Sequence, residues 1–141
     1  MFNEKEVENY TKTFLKVFNS REKKFCVERL YSYLLSLGYC PIECTTSTME
    51  YVLRETVLAN DSRVSIIECS RDDDMGVYSY KFIFIDKEQA ESAEELLRSV
   101  LWAIGTITLG HLEKRGHHIG LEDREKEIDY FSGIILKSIK E

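Results

Sequence analysis

Residues 102–136 read WAIGTITLGHLEKRGHHIGLEDREKEIDYFSGIIL. All three histidines of the chain, His111, His117 and His118, lie within eight residues of this stretch, and a run of carboxylates follows them. Apolar residues flank the polar part on both sides, so the pattern predicts two helices joined by a polar turn. Imidazoles that face carboxylates across a helix pair are typical zinc ligands. The stretch therefore predicts either a metal site or a solvated turn.

The spacing of apolar residues predicts helices on both sides of this stretch. A long helix is expected over 88–114, with Asp86 as its cap and with Gly105 and Gly110 inside it, where a mid-helix glycine permits close packing. A final helix is expected over 122–140. Upstream, the same spacing predicts helices over 4–18, 22–37 and 48–58, the second of them ended by Gly38.

Between the helices lie segments with the alternation and composition of strands. Residues 63–69 and 77–86 are rich in β-branched and aromatic residues and flank a polar turn, SRDDDMG over 70–76, which predicts a β-hairpin. The three aspartates lack the alternating spacing of a calcium loop, so a solvated tip is favoured. Residues 39–46 predict a short extended segment. The expected order ααβαββαα gives an α+β fold: a helical N-terminal half, then a small antiparallel sheet packed on the long helix and the C-terminal helix.

The composition limits both the class of protein and its partners. The chain has 141 residues, which favours one domain, and a formal net charge of −6 without a basic block. Because phosphate neutralisation supplies most nucleic-acid affinity, direct nucleic-acid binding is not expected. The four cysteines form no zinc pattern, the first residues are polar, and no apolar run could span a membrane. A cytoplasmic protein without membrane contact is expected.

The residues before His111 decide the chemistry. Positions 107 and 111 are four apart and would face the same way on a helix. A metallopeptidase helix carries histidine at both positions and glutamate beside the first, as HExxH, so that two imidazoles hold zinc and the glutamate activates its water. Here the phrase reads Ile107-Thr108-Leu109-Gly110-His111. The second histidine is present, and the first ligand and the base are absent.

From about Tyr80 to Leu136 the chain resembles the ImmA/IrrE family of bacterial and phage metallopeptidases. Members show a strand, a helix ending in a phrase like TLAHELGH, further histidines, a charged turn and then EREANxFAAxLL. This chain has YKFIFIDKEQ, TITLGH, LEKRGHH and EKEIDYFSGIIL in the same order. The resemblance covers 80–136, and residues 1–75 carry no motif that can be aligned.

The resemblance implies a role for particular residues. His111 matches the second histidine ligand, and Glu125 or Glu127 matches the downstream acidic ligand, with the register left open. Ile107 and Thr108 replace the first histidine and the catalytic glutamate, and general-base assistance is worth about 10²–10⁴-fold. The resemblance thus implies a degenerate site with no catalytic residue and no cofactor. A former substrate cleft would include Thr108, Tyr80 and Asp129, beside the turn at 115–121.

Three interpretations of the histidines and the function remain. In the first, His111 is half-buried and hydrogen-bonded to a carboxylate of the last helix, and His117 and His118 lie in the turn. In the second, His111 with His117 or His118 and Glu125 or Glu127 rebuilds a zinc site, which gives a divergent metallopeptidase. In the third, the chain is a small acidic interaction protein whose likeness to the family is coincidental.

The first interpretation leads to a catalytically inactive, ImmA/IrrE-like pseudo-peptidase that binds a protein or peptide partner. The resemblance implies a helix-turn-helix regulator as that partner and a regulatory role of phage or mobile-element origin. An exposed strand edge at 77–85 would accept an extended peptide. This interpretation also predicts unchanged folding after His111→Ala.

Overall fold

A four-stranded sheet and five helices make up the secondary structure that the computed structural model describes, over residues 2–18, 26–52, 57–61, 63–74, 76–113 and 119–139. The backbone divides into two compact units. One comprises residues 1–26 and 104–141, and the other comprises residues 27–103. In chain order the elements are α1 (Glu4–Phe18), α2 (Val27–Ser36), β1 (Tyr39–Cys44), α3 (Thr46–Val52), β2 (Val57–Asp61), β3 (Val64–Asp73), β4 (Gly76–Asp86), α4 (Ala93–Thr108) and α5 (Leu121–Ile139).

The sheet lies in the 27–103 unit and has the strand order β1-β4-β3-β2. The predicted hairpin is confirmed as β3 and β4, which pair antiparallel from Val64↔Ile85 to Asp73↔Gly76. β2 pairs antiparallel with β3, and β1 pairs parallel with β4. The sheet is therefore mixed, where an antiparallel sheet was expected. Pro41 fits β1 because an edge strand tolerates a residue that cannot donate a ladder hydrogen bond.

Two local predictions for this unit were wrong. The helix expected over 48–58 ends at Val52, and Val57–Asp61 forms β2. The polar turn expected over 70–76 is much shorter, because β3 continues to Asp73 and β4 begins at Gly76. Gly76 adopts a φ of 127°, a backbone conformation that glycine permits at no steric cost. Both differences lengthen the sheet at the expense of turn and helix.

Buried aliphatic residues that are paired across β3 and β4 form the core of the sheet unit. Ile66 and Ile83 are paired across β3 and β4, Val64 and Ile85 likewise, and all four are fully buried. α2 packs against β1 and α3 against β4. Gly38, with a φ of 92°, ends α2 as the sequence predicted and starts the chain into β1. The α+β class predicted from the sequence is confirmed.

The other unit contains α1, α5 and the last residues of α4. α1 packs on α5, and the rings of Phe14 and Phe131 lie 5.6 Å apart in its core. Gly105 lets α4 approach α5 closely, because a Cβ at this position would lie 3.1 Å from Cδ1 of Phe131. The close packing predicted for this glycine is confirmed. The final helix is also confirmed, over Leu121–Ile139.

The long helix predicted over 88–114 is shorter at both ends. Asp86 is buried, and its Oδ1 accepts hydrogen bonds from the backbone N–H groups of Glu88 and Gln89, so it caps a turn there. The helix begins at Ala93, where Ser92 Oγ accepts from the Glu95 N–H at 3.2 Å, as an N-cap serine does. Its C-terminal end, at Thr108, shapes the candidate site.

Candidate functional site

A C-terminal cap ends α4 just before His111. Gly110 has a φ of 72°, in the left-handed region that glycine favours. The N–H of Gly110 donates to the Ile107 carbonyl at 3.1 Å, and the N–H of His111 donates to the Thr106 carbonyl at 3.0 Å. These two hydrogen bonds form a Schellman motif with Gly110 at the C′ position. His111 therefore follows the helix, and the prediction that residues 107 and 111 share one helical face was wrong.

His111 and Glu127 form a buried pair. Nε2 of His111 lies 2.8 Å from Oε1 of Glu127, and the two side chains are 2% and 0% exposed. The predicted hydrogen bond between His111 and a carboxylate of the last helix is confirmed, although His111 is almost fully buried where half-burial was expected. The pair joins the residue after the α4 cap to the second turn of α5.

The helical phase of α5 explains why Glu127 is the partner. Glu127 precedes Ile128, and both are buried in the same unit as Phe131, whereas Glu125 is exposed. Of the two acidic candidates that the sequence left open, Glu127 contacts His111. Its carboxylate is thus committed to a side-chain hydrogen bond inside the protein.

The residues at the degenerate positions offer little chemistry. Ile107 and Thr108 are partly buried at the last turn of α4. The Thr108 hydroxyl is buried, and it makes no hydrogen bond to a described residue. A threonine hydroxyl is not a general base near neutral pH, since it does not ionise there.

A zinc ion does not fit the donor set that the described residues provide. Zinc ligands lie about 2.0–2.2 Å from the metal, which puts two donor atoms of a tetrahedral site roughly 3.4 Å apart. The 2.8 Å between His111 and Glu127 is a hydrogen-bond distance instead. No cluster of three or more His, Cys, Asp or Glu side chains suited to a metal occurs in the described part of the chain. A catalytic zinc needs three protein ligands.

The other predicted site residues are not brought into this pair. His117 and His118, together with the turn at 115–118, lie outside the described residues. Tyr80 is 49% exposed on β4, in the sheet unit, and Asp129 is exposed on α5, in the helical unit. The cleft predicted from Thr108, Tyr80 and Asp129 stays a prediction.

A second candidate feature is an open groove of about 400 Å³ at the ends of β1 and β4, lined by Glu43, Cys44, Thr45, Lys87 and Glu88. Nζ of Lys87 lies 3.6 Å from Oε2 of Glu43, so an internal ion pair offsets its charge. Burial, followed by the negative charges of Asp86 and Glu88, raises the pKa of the Cys44 thiol. A thiol whose pKa is raised is a weak nucleophile at neutral pH, because the thiolate is the reactive form.

Comparisons of the chain with models of protein families, with curated proteins and with solved structures give no match. Within the described residues, no helix has both the length and the apolar character needed to cross a membrane.

Proposed function

We propose that the chain is a catalytically silent relative of the ImmA/IrrE peptidases, which binds a protein partner and leaves it uncut. The observation that carries this proposal is the side-chain hydrogen bond between His111 and Glu127. On the resemblance His111 matches the second histidine ligand, and Glu127 is one of the two candidates, with Glu125, for the downstream acidic ligand. Here Nε2 of His111 and Oε1 of Glu127 are hydrogen-bonded to each other, and both side chains are buried.

The energetics of burial support the proposal. A buried carboxylate is stable only when it is paired or hydrogen-bonded, and His111 supplies that partner. Turning both groups toward a metal would break this bond, and Ile107 contributes no replacement donor. Thr108 offers no base to activate a water molecule. The pair therefore acts as a structural link between the end of α4 and α5.

Two assays test the silent site. Purified protein, freed of metal and then incubated with zinc, should retain no stoichiometric zinc after dialysis. It should also leave a helix-turn-helix regulator intact while binding it. The matched control is Glu127→Gln, which removes the carboxylate that a zinc ion would need as a ligand. It should behave like the parent in both assays.

The divergent metallopeptidase makes the opposite predictions. One zinc ion per chain, or cleavage of the regulator that a chelator stops and zinc restores, would contradict the proposal. In that case Glu127→Gln should lose both the zinc and the cleavage, because it removes a ligand.

A further inference from the structure

The β3–β4 hairpin extends beyond the strands on either side of it. β1 pairs with β4 only from Lys81 onwards, and β2 pairs with β3 only as far as Ile67. Among the described residues, 68–74 and 76–81 therefore form a two-stranded ribbon, paired from Glu68↔Lys81 to Asp73↔Gly76. Within the described part of the chain, no strand pairs with residues 76–80 of β4 on the side where β1 lies.

The register identifies the backbone groups on this open edge. The N–H of Asp86 donates to the carbonyl of Arg63 at 2.8 Å, so Asp86 points its backbone groups toward β3. Backbone direction alternates along an antiparallel strand, and the β3–β4 register runs without a shift to the turn. Val77 and Ser79 therefore direct their N–H and C=O groups away from β3. They form the open edge in line with β1.

The ribbon also concentrates negative charge. Residues 68–81 contain four acidic residues, Glu68, Asp72, Asp73 and Asp74, and two basic residues, Arg71 and Lys81. The ribbon thus carries a net charge of −2, one third of the −6 of the whole chain, in a small fraction of its length. An open edge on an acidic ribbon repels a second copy of itself, as charged edge strands do. The same field attracts a cationic segment.

We propose that residues 76–80 of β4 accept a basic, extended peptide segment as an added strand. The Val77 and Ser79 backbone groups would supply the ladder hydrogen bonds, and the net negative charge of the ribbon would favour lysine or arginine on the incoming segment. Tyr80, about half exposed at the inner end of this edge, offers an aromatic surface beside it. This inference rests on the proposed function and names the partner's recognition element, a basic segment without helical structure.

The register supplies a matched pair of variants. Ser70 and Ser79 face each other across β3 and β4, and both are exposed. By the same alternation, Ser79 points its N–H to the open edge of β4 and Ser70 points its N–H to the outer edge of β3. Proline removes one edge donor in either variant without removing a β3–β4 hydrogen bond. Ser79→Pro tests the proposed edge, and Ser70→Pro is its control on the same rung.

The probe is a short peptide that alternates lysine with valine and is blocked at both ends, titrated into the whole chain at low salt. Its backbone N-methylated version keeps the charge and loses the donors, and its glutamate version reverses the charge. We expect the lysine peptide to bind, with slowed amide exchange at Val77 and Ser79. We expect both modified peptides and Ser79→Pro to bind about tenfold more weakly or worse, and Ser70→Pro to bind like the parent.

Three outcomes would overturn the inference. Equal binding of the N-methylated peptide would mean that charge alone holds the probe. Weaker binding to Ser70→Pro with full binding to Ser79→Pro would assign the site to the other edge, and no binding of the lysine peptide to a folded chain would remove the site. None of these results bears on zinc retention, so the silent-site proposal stands or falls separately.

Discussion

Nε2 of His111, just after the end of α4, lies 2.8 Å from Oε1 of Glu127 in the second turn of α5. The Schellman cap at Gly110 places the imidazole, and the helical phase of α5 places the carboxylate. The pair is therefore held by backbone geometry at both ends. This arrangement leads to predictions for its energetics and for the packing around it.

Removing one partner of the pair should destabilise the fold. His111→Ala leaves the fully buried Glu127 carboxyl group without this hydrogen bond, so we expect a decrease of about 3 kcal/mol in the free energy of unfolding. The sequence predicted unchanged folding after this substitution, and we revise that prediction because His111 is buried. Glu127→Gln keeps a hydrogen-bonding group and should cost only about 1 kcal/mol. Urea denaturation measures both.

A double variant provides the control for this energetic argument. Replacing both groups, as in His111→Phe with Glu127→Leu, should be less damaging than His111→Ala alone, because neither member of the pair is then left buried without the other. A His111→Ala variant within about 0.5 kcal/mol of the parent would show that the pair contributes little.

Two glycines in the helical unit should respond in opposite ways to alanine. Gly105→Ala places a Cβ 3.1 Å from Cδ1 of Phe131, which is fully buried, so we expect a destabilisation of about 1 kcal/mol or more. Gly133 in α5 has nothing within 4 Å of its would-be Cβ. Gly133→Ala should gain about 0.5–1 kcal/mol from helix propensity. Thermal denaturation compares the two, and a stabilised Gly105→Ala would contradict the close packing.

Tyr130 should ionise later than an ordinary tyrosine. Its hydroxyl donates to Oε1 of Glu8 at 2.6 Å, and this bond, then burial and the charges of Glu8 and Glu4, raises its pKa from 10.0 to about 12. The folded state holds this proton more tightly than the unfolded state. Its stabilising contribution is therefore complete below pH 10 and is lost as pH rises toward about 12.

The ultraviolet difference between the parent and Tyr130→Phe isolates this titration. Glu8→Gln removes the charged acceptor and should lower the pKa of Tyr130 toward the ordinary value. A Tyr130 that titrates at the ordinary value in the parent would show that the bond to Glu8 does not persist in solution.

Cys44 should be a slow nucleophile. Burial and the charges of Asp86 and Glu88 raise its pKa, so a variant that retains Cys44 as its single cysteine should react with iodoacetamide more slowly when folded than in urea. Glu88→Gln should speed the folded reaction, and Glu91→Gln, which removes an acid outside this set, should not. Equal rates for the folded and unfolded chain would refute the raised pKa.

Much of the fold was accessible from the sequence because its signals were local. Apolar residues at helical spacing predicted α1 and α5, and alternation with β-branched residues predicted the β3–β4 hairpin. The parallel pairing of β1 with β4 was not accessible, since it joins segments far apart in the chain and leaves no local pattern.

The end of α4 shows why local patterns also misled. Apolar residues continue past Thr108 to Leu109 and Leu112, so the helix was expected to continue through Gly110. Gly110 instead adopts the left-handed conformation, and the helix ends in a C-terminal cap although the apolar spacing continues. The available signal was a glycine followed by polar and basic residues, which is typical of a helix end.

The sequence predicted the hydrogen bond at the candidate site but did not predict which acidic residue makes it. A hydrogen bond from His111 to an acid of the last helix followed from the clustering of imidazoles and carboxylates. Glu127 rather than Glu125 is the partner because of how α5 is rotated about its own axis. That rotation depends on the packing around Phe131, so the sequence pattern alone could not predict which of the two acids faces His111.

The most direct test of the silent site is the nitrogen NMR signal of the His111 imidazole, followed while zinc is added to the metal-free protein. We predict that Nε2 keeps the chemical shift of a nitrogen hydrogen-bonded to Glu127 when one equivalent of zinc, and then an excess of zinc, is added. A stoichiometric change to the shift of a metal-bound nitrogen, with the hydrogen bond to Glu127 broken, would contradict the account.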